Sequence, residues 1–167
     1  MPTYRDLGDH SETVQVDYDP AVLSYEDLLA VFWADHDPTR PESSRQYRSA
    51  IFVHDEEQRR IAEASLAAEA ARRGSRVYTA IEQLGTFTRA EDYHQKHFLR
   101  MVDAVEADLT RAYPDADALT DSTASARING YLGGHGTLEQ LDRDLPSFGL
   151  SRAGEAALRA AVEARAP

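Results

Sequence analysis

Between residues 12 and 18 apolar and polar positions alternate, with Val14, Val16 and Tyr18 on one side, which is the period of a half-buried strand. Asp19-Pro20 ends that run and the period then changes. Ser24 and Asp27 stand at the spacing of a capping box, and Leu28, Leu29, Val31, Phe32 and Trp33 supply a broad apolar face for a helix reaching about Ala34. Two proline steps follow, Asp37-Pro38 and Arg40-Pro41, and each pushes the preceding residue out of the helical region, so an extended loop is expected. Residues 47–54 read as a second strand. Asp55 is placed to cap a long helix over 56–73, rich in Ala, Glu and Arg and closed by Gly74, and 76–81 reads as a third strand.

From Thr88 onward the pattern is helical. Thr88 and Glu91 form another capping pair, and the apolar positions Leu99, Val102 and Val105 predict one helix running on to Tyr113, where Pro114 stops it. An acidic loop is expected over 115–121, then helices over 122–132, 137–145 and 151–164. Gly133-Gly134 is read as a helix end. No Lys-Ser/Thr follows these glycines, so they are not a phosphate loop. Strands in the first half and helices in the second predict an α+β domain over 1–113, with a helical C-terminal extension over 114–167.

Composition narrows the functional classes. The 167 residues carry a net charge of -11, which repels phosphate backbones and anionic lipid, so neither nucleic acid nor a membrane surface is an expected partner. No apolar run approaches a bilayer span and the N-terminus does not read as a signal peptide, which makes the cytoplasm the expected compartment. There is no cysteine. Disulfides, thiolate metal sites and a thiol nucleophile from these residues are therefore all excluded.

Several segments carry a family likeness. Pro2-Thr3-Tyr4, His10-Ser11-Glu12, Tyr18-Asp19-Pro20, Phe32-Trp33, the run from His36 to Ile51 with its Gln46-Tyr47-Arg48-Ser49-Ala50, and Ala90-Glu91-Asp92-Tyr93-His94-Gln95 together resemble the peptide methionine sulfoxide reductase A family over roughly residues 2–98. The resemblance implies a two-layer α/β sandwich, a small-molecule or peptide substrate, and reduction of a peptide-methionine (S)-S-oxide. It implies that Tyr4, Glu12 and Tyr47 hold and protonate the sulfoxide oxygen, with Trp33, Tyr93 and His94 as substrate-binding residues. The departures fall in the site. The family's Gly-Cys-Phe-Trp motif is not in this sequence, the loop before Gln46 lacks the usual aspartate, and the family's Thr-Glu-Ile appears as Thr79-Ala80-Ile81. The expected protein is a divergent, cysteine-independent relative, either an enzyme using a metal or an external thiol or a binding or structural module. An uncovered sheet edge makes a homo-oligomer a further expectation.

The histidines give a second candidate chemistry. His94 and His97 are three apart, so one helix face would carry both, and adding His10 or Glu12 would make a three-His or two-His-carboxylate site for a divalent metal ion able to activate water.

Overall fold

The computed structural model describes residues 11–42 and 44–165, and within them the chain forms two compact units, one ending at Thr88 and one beginning at Arg89. It is a mixed helix and strand protein. In the first unit, helix α1 (Tyr25–Ala34) starts on the expected capping box: Ser24 accepts from the Asp27 amide and Asp27 accepts from the Ser24 amide. Strand β1 (Ala50–Val53), helix α2 (Glu56–Arg73) and strand β2 (Ala80–Gln83) follow. Asp55 caps α2, and Gly74 ends it at φ 60°, a left-handed turn that favours glycine. β1 and β2 pair in parallel, Ala50 opposite Ala80 and Val53 opposite Gln83, with α2 as the crossover that a parallel pair requires.

Leu29 and Trp33 of α1 bury themselves against Ile51 and Val53 of β1 and Ala62 of α2. α1 has no basic residue in its last turn. Its last turn is met from α2 instead, where Arg73 donates to the Trp33 oxygen at 3.1 Å and, just past the helix, to the His36 oxygen at 3.3 Å. Glu69, buried one turn earlier, accepts from Arg72 and Arg73, which hold its carboxyl down to about 2.

The second unit is helical: α3 (Asp103–Ala112), α4 (Ala116–Asp121), α5 (Thr123–Leu132), α6 (Leu138–Asp144) and α7 (Arg152–Glu163). Leu109, Ile128, Leu132, Leu141 and Leu158 make its dry centre. The buried Asp108 joins α3 to the start of α7, accepting from the Ser151 amide at 2.8 Å and the Ser151 hydroxyl at 2.7 Å. Those bonds, helped by Arg111, keep its carboxyl below the usual range. A Cβ on Gly154 would run into Asp108 Oδ2, so a larger residue there would have to push that carboxylate away from Ser151.

Five local expectations are corrected. Residues 12–18 form no strand, with Val14 86% and Val16 54% exposed; alternation supplies propensity, whereas a strand also needs a ladder partner. The strand expected over 47–54 is the shorter β1, and the one expected over 76–81 begins only at Ala80 and runs on to Gln83. The helix expected from Thr88 to Tyr113 is broken into 3-10 turns at Asp92–His94 and Leu99–Met101 before α3 begins, because Gln95 is extended and Lys96 takes a left-handed φ of 50°. The expected acidic loop is α4, which starts where Asp115 accepts from the Ala118 amide at 2.9 Å.

Candidate functional site

The run from the end of α1 to β1 is held from inside by a chain of polar bonds. His36 Nδ1 donates to the Phe32 carbonyl at 2.8 Å, which in the neutral ring leaves Nε2, 2.9 Å from Ser49 Oγ, to accept. Ser49 Oγ is in turn 2.8 Å from the buried Thr79 hydroxyl. Asp37 accepts from the amide and hydroxyl of Thr39 at 3.1 and 2.6 Å, an Asx turn that fixes the Pro38 corner and keeps the Asp37 carboxyl low. This ties the loop to α1 at one end and to both strands at the other.

On that base the segment at Ser11-Glu12 is docked against residues 45–48. The Glu12 amide donates to the Gln46 carbonyl at 2.9 Å, and the Gln46 side-chain amide donates to Glu12 Oε1 at 2.8 Å. Ser11 Oγ donates to the Arg45 carbonyl at 2.9 Å and accepts from Arg48 Nε at 3.0 Å. Arg48 is itself fixed by a two-pronged ion pair with Glu82 of β2, at 2.5 and 2.7 Å. Hydrogen bonding to Arg48 holds the Glu82 carboxyl below its ordinary range and pushes the Arg48 guanidinium higher. Tyr47 lies in the same turn, between Gln46 and Arg48, and is 54% exposed. Of the residues expected to handle a sulfoxide oxygen, Glu12 is therefore docked on the turn whose chain includes Tyr47. The third, Tyr4, lies outside the described residues.

Trp33 is placed differently. It is 6% exposed, its Nε1 donates to Ser65 Oγ at 3.1 Å, and one edge lines an open groove of about 700 Å³ between α1 and α2 with Leu29, Ile61 and Ala64. Tyr93, His94 and His97 belong to the second unit. Tyr93 is 61% exposed with its ring 4.2 Å from that of His94, and His94 Nε2 is 3.9 Å from Glu91. The left-handed Lys96 interrupts the helix that was to carry His94 and His97 on one face. Among the described residues no group of three or more His, Cys, Asp or Glu converges as a metal site, and His10 is outside them.

Sequence reasoning passed over Arg48 and Glu82, His36, Ser49 and Thr79. The strand register puts Arg48 and Glu82 on one side of the sheet, and the length of the arginine side chain lets it reach the carboxylate. Ala50 faces Ala80 and Phe52 faces Glu82, so Arg48, two residues before Ala50, shares their side of the sheet. Glu82 thereby brings a carboxylate to β2 one position beyond Ile81, where the Thr79-Ala80-Ile81 triplet itself has none.

The sequence has clear relatives. The family model for peptide methionine sulfoxide reductase matches residues 1–126. A peptide methionine sulfoxide reductase of Drosophila melanogaster is 39% identical over 154 residues, covering 90% of this chain and 61% of its own length. Peptide methionine sulfoxide reductase A5 of Arabidopsis thaliana is 41% identical over 144 residues, covering 78% and 53%. Peptide methionine sulfoxide reductase MsrA of Methanothermobacter thermautotrophicus is 49% identical over 107 residues, covering 58% and 63%. The chain spans between about half and just under two thirds of the length of these three curated relatives.

Proposed function

Since the chain belongs to the peptide methionine sulfoxide reductase family, we propose that it acts on methionine sulfoxide, free or in a peptide, by binding the sulfoxide oxygen and supplying its protons while an external thiol attacks sulfur. The observation that carries this reading is the docking of Glu12 onto the turn that holds Tyr47, through the paired Glu12–Gln46 hydrogen bonds. An oxide ion leaves poorly, so S–O cleavage needs donors at that oxygen. Glu12 in its protonated form and Tyr47, with Tyr4 carried over from the resemblance, are donors of the right kind. The thiolate sulfur bonds to the sulfoxide sulfur as the S–O bond breaks, and the oxygen leaves as water after taking two protons. A second thiolate then attacks the first thiol's sulfur, releasing the thioether and a disulfide. Two thiols are oxidised, one sulfoxide is reduced, and no cysteine of these 167 residues is needed. We also propose that the β1–α2–β2 unit is part of the two-layer sandwich that the family likeness implies.

A second reading, a module that recognises the sulfoxide without turnover, is favoured by the same missing cysteine. One experiment separates the two. A peptide containing methionine sulfoxide is incubated with the protein and dithiothreitol, and methionine is counted by mass spectrometry. Many turnovers per protein, proportional to thiol, are expected. Retention of the sulfoxide peptide in preference to the thioether peptide, without conversion, would replace the enzyme reading by the binding one.

A further inference from the structure

Glu12 is exposed on a segment outside both strands, and among the described residues what it bonds to there is Gln46 alone, through one backbone and one side-chain bond. Its neighbour is better anchored. Ser11 Oγ is gripped from two sides, donating to the Arg45 carbonyl and accepting from Arg48 Nε. The other two nitrogens of that guanidinium, Nη1 and Nη2, are both spent on Glu82. A planar guanidinium held on one edge by a carboxylate can turn very little, so its Nε–H is aimed at Ser11 by the sheet itself. Arg48 also lies over the Phe52 ring of β1 at 5.7 Å, a contact that further limits its rotation.

We propose that Arg48 is a positioning residue for the candidate oxygen-donor site: Glu82 orients Arg48, Arg48 holds Ser11, and the held segment places Glu12 against Gln46 beside Tyr47. The proposal rests on the reading of Glu12 as an oxygen donor only for its consequence in turnover. The positioning itself is readable without activity. The Glu12 amide donates to the Gln46 carbonyl, so its hydrogen exchange reports whether the segment is docked.

Three variants separate positioning from general stabilisation. Ser11→Ala removes the contact that Arg48 makes and leaves the Arg48–Glu82 pair intact. Arg48→Lys keeps a charge for Glu82 but cannot serve Glu82 and Ser11 together in the same plane. The exchanged double variant, Arg48→Glu with Glu82→Arg, restores an ion pair between the two positions but presents Ser11 with an acceptor in place of a donor. All three are expected to speed exchange of the Glu12 amide by about tenfold or more, the scale of one lost hydrogen bond. The double variant is also expected to recover the melting temperature lost in Arg48→Glu alone. The proposal is overturned if the double variant restores protection of the Glu12 amide along with stability, or if Ser11→Ala leaves that protection at the wild-type level. Should the double variant not fold, Ser11→Ala decides alone. Turnover on the same samples tests the underlying reading separately. Lost protection with a lower kcat and little change in KM carries the positioning into catalysis, whereas lost protection with unchanged kcat removes Glu12 from the chemistry while leaving the Arg48 role standing.

Discussion

Replacing Trp33 with alanine is expected to destabilise the first unit severely, and any loss of substrate handling in that variant will follow from the weakened fold. Trp33 is buried at the point where α1 meets α2 and β1, beside Leu29, Ile51, Val53 and Ala62, and its ring packs edge-on against Phe32 at 4.9 Å. A buried tryptophan truncated to alanine costs about 3–5 kcal/mol, part transfer and part cavity. A unit of this size is stable by only about 4–12 kcal/mol, so the loss is a large share of the whole. Trp33→Phe keeps most of the apolar contact and removes the donor to Ser65, which should cost roughly 1 kcal/mol for the bond plus a smaller packing loss. Urea unfolding followed by circular dichroism checks both, since Trp33 is the sole tryptophan and fluorescence is lost with it. A Trp33→Ala protein that unfolds at the wild-type midpoint would show that the ring contributes nothing to the core and would return it to the list of pure binding residues.

Glu12→Gln should do the reverse, leaving the fold intact and removing turnover. The side chain is exposed, its recorded side-chain bond is to Gln46, and no core residue depends on it. An amide can still bond to Gln46, but it cannot deliver a proton to a leaving oxygen. Loss of a positioned general acid typically lowers kcat about 10²–10⁴-fold, which is the expected effect here with the melting temperature unchanged. Tyr47→Phe should give a smaller loss if the two groups share the oxygen. Full turnover in Glu12→Gln would place the proton source elsewhere.

The parts of the fold that were legible in the sequence are those written in local signals. Ser24 with Asp27, Asp55 before α2 and Gly74 after it lie within a few residues of the helix ends they make, and the structure has each in its expected role. The parts that were not legible depend on partners far along the chain. Val14 and Val16 have strand periodicity, yet what the segment bonds to is Gln46, Arg45 and Arg48, more than thirty residues away. The break at Lys96 is similar. The residues around it favour a helix, but Leu99 gives its amide to the Asn129 side chain thirty residues on, and Arg100 turns back to the Gln95 carbonyl. In the candidate site, Glu12 and Tyr47 came from family likeness alone. Arg48 and Glu82 could be found only once the parallel pairing of β1 and β2 was known, since nothing in the spacing of an Arg and a Glu 34 positions apart reveals that they meet.

The central claim is that a sulfoxide oxygen is received at the patch formed by residues 11–12 and 45–48. The most direct test needs no turnover and no thiol. Amide resonances are followed by NMR while N-acetyl-methionine-sulfoxide methylamide is added, with the corresponding thioether as the control. Saturable shifts at Ser11, Glu12, Gln46, Tyr47 and Arg48, present with the sulfoxide and absent with the thioether, are predicted. Shifts confined to the groove between α1 and α2, or equal responses to sulfoxide and thioether, would contradict the claim.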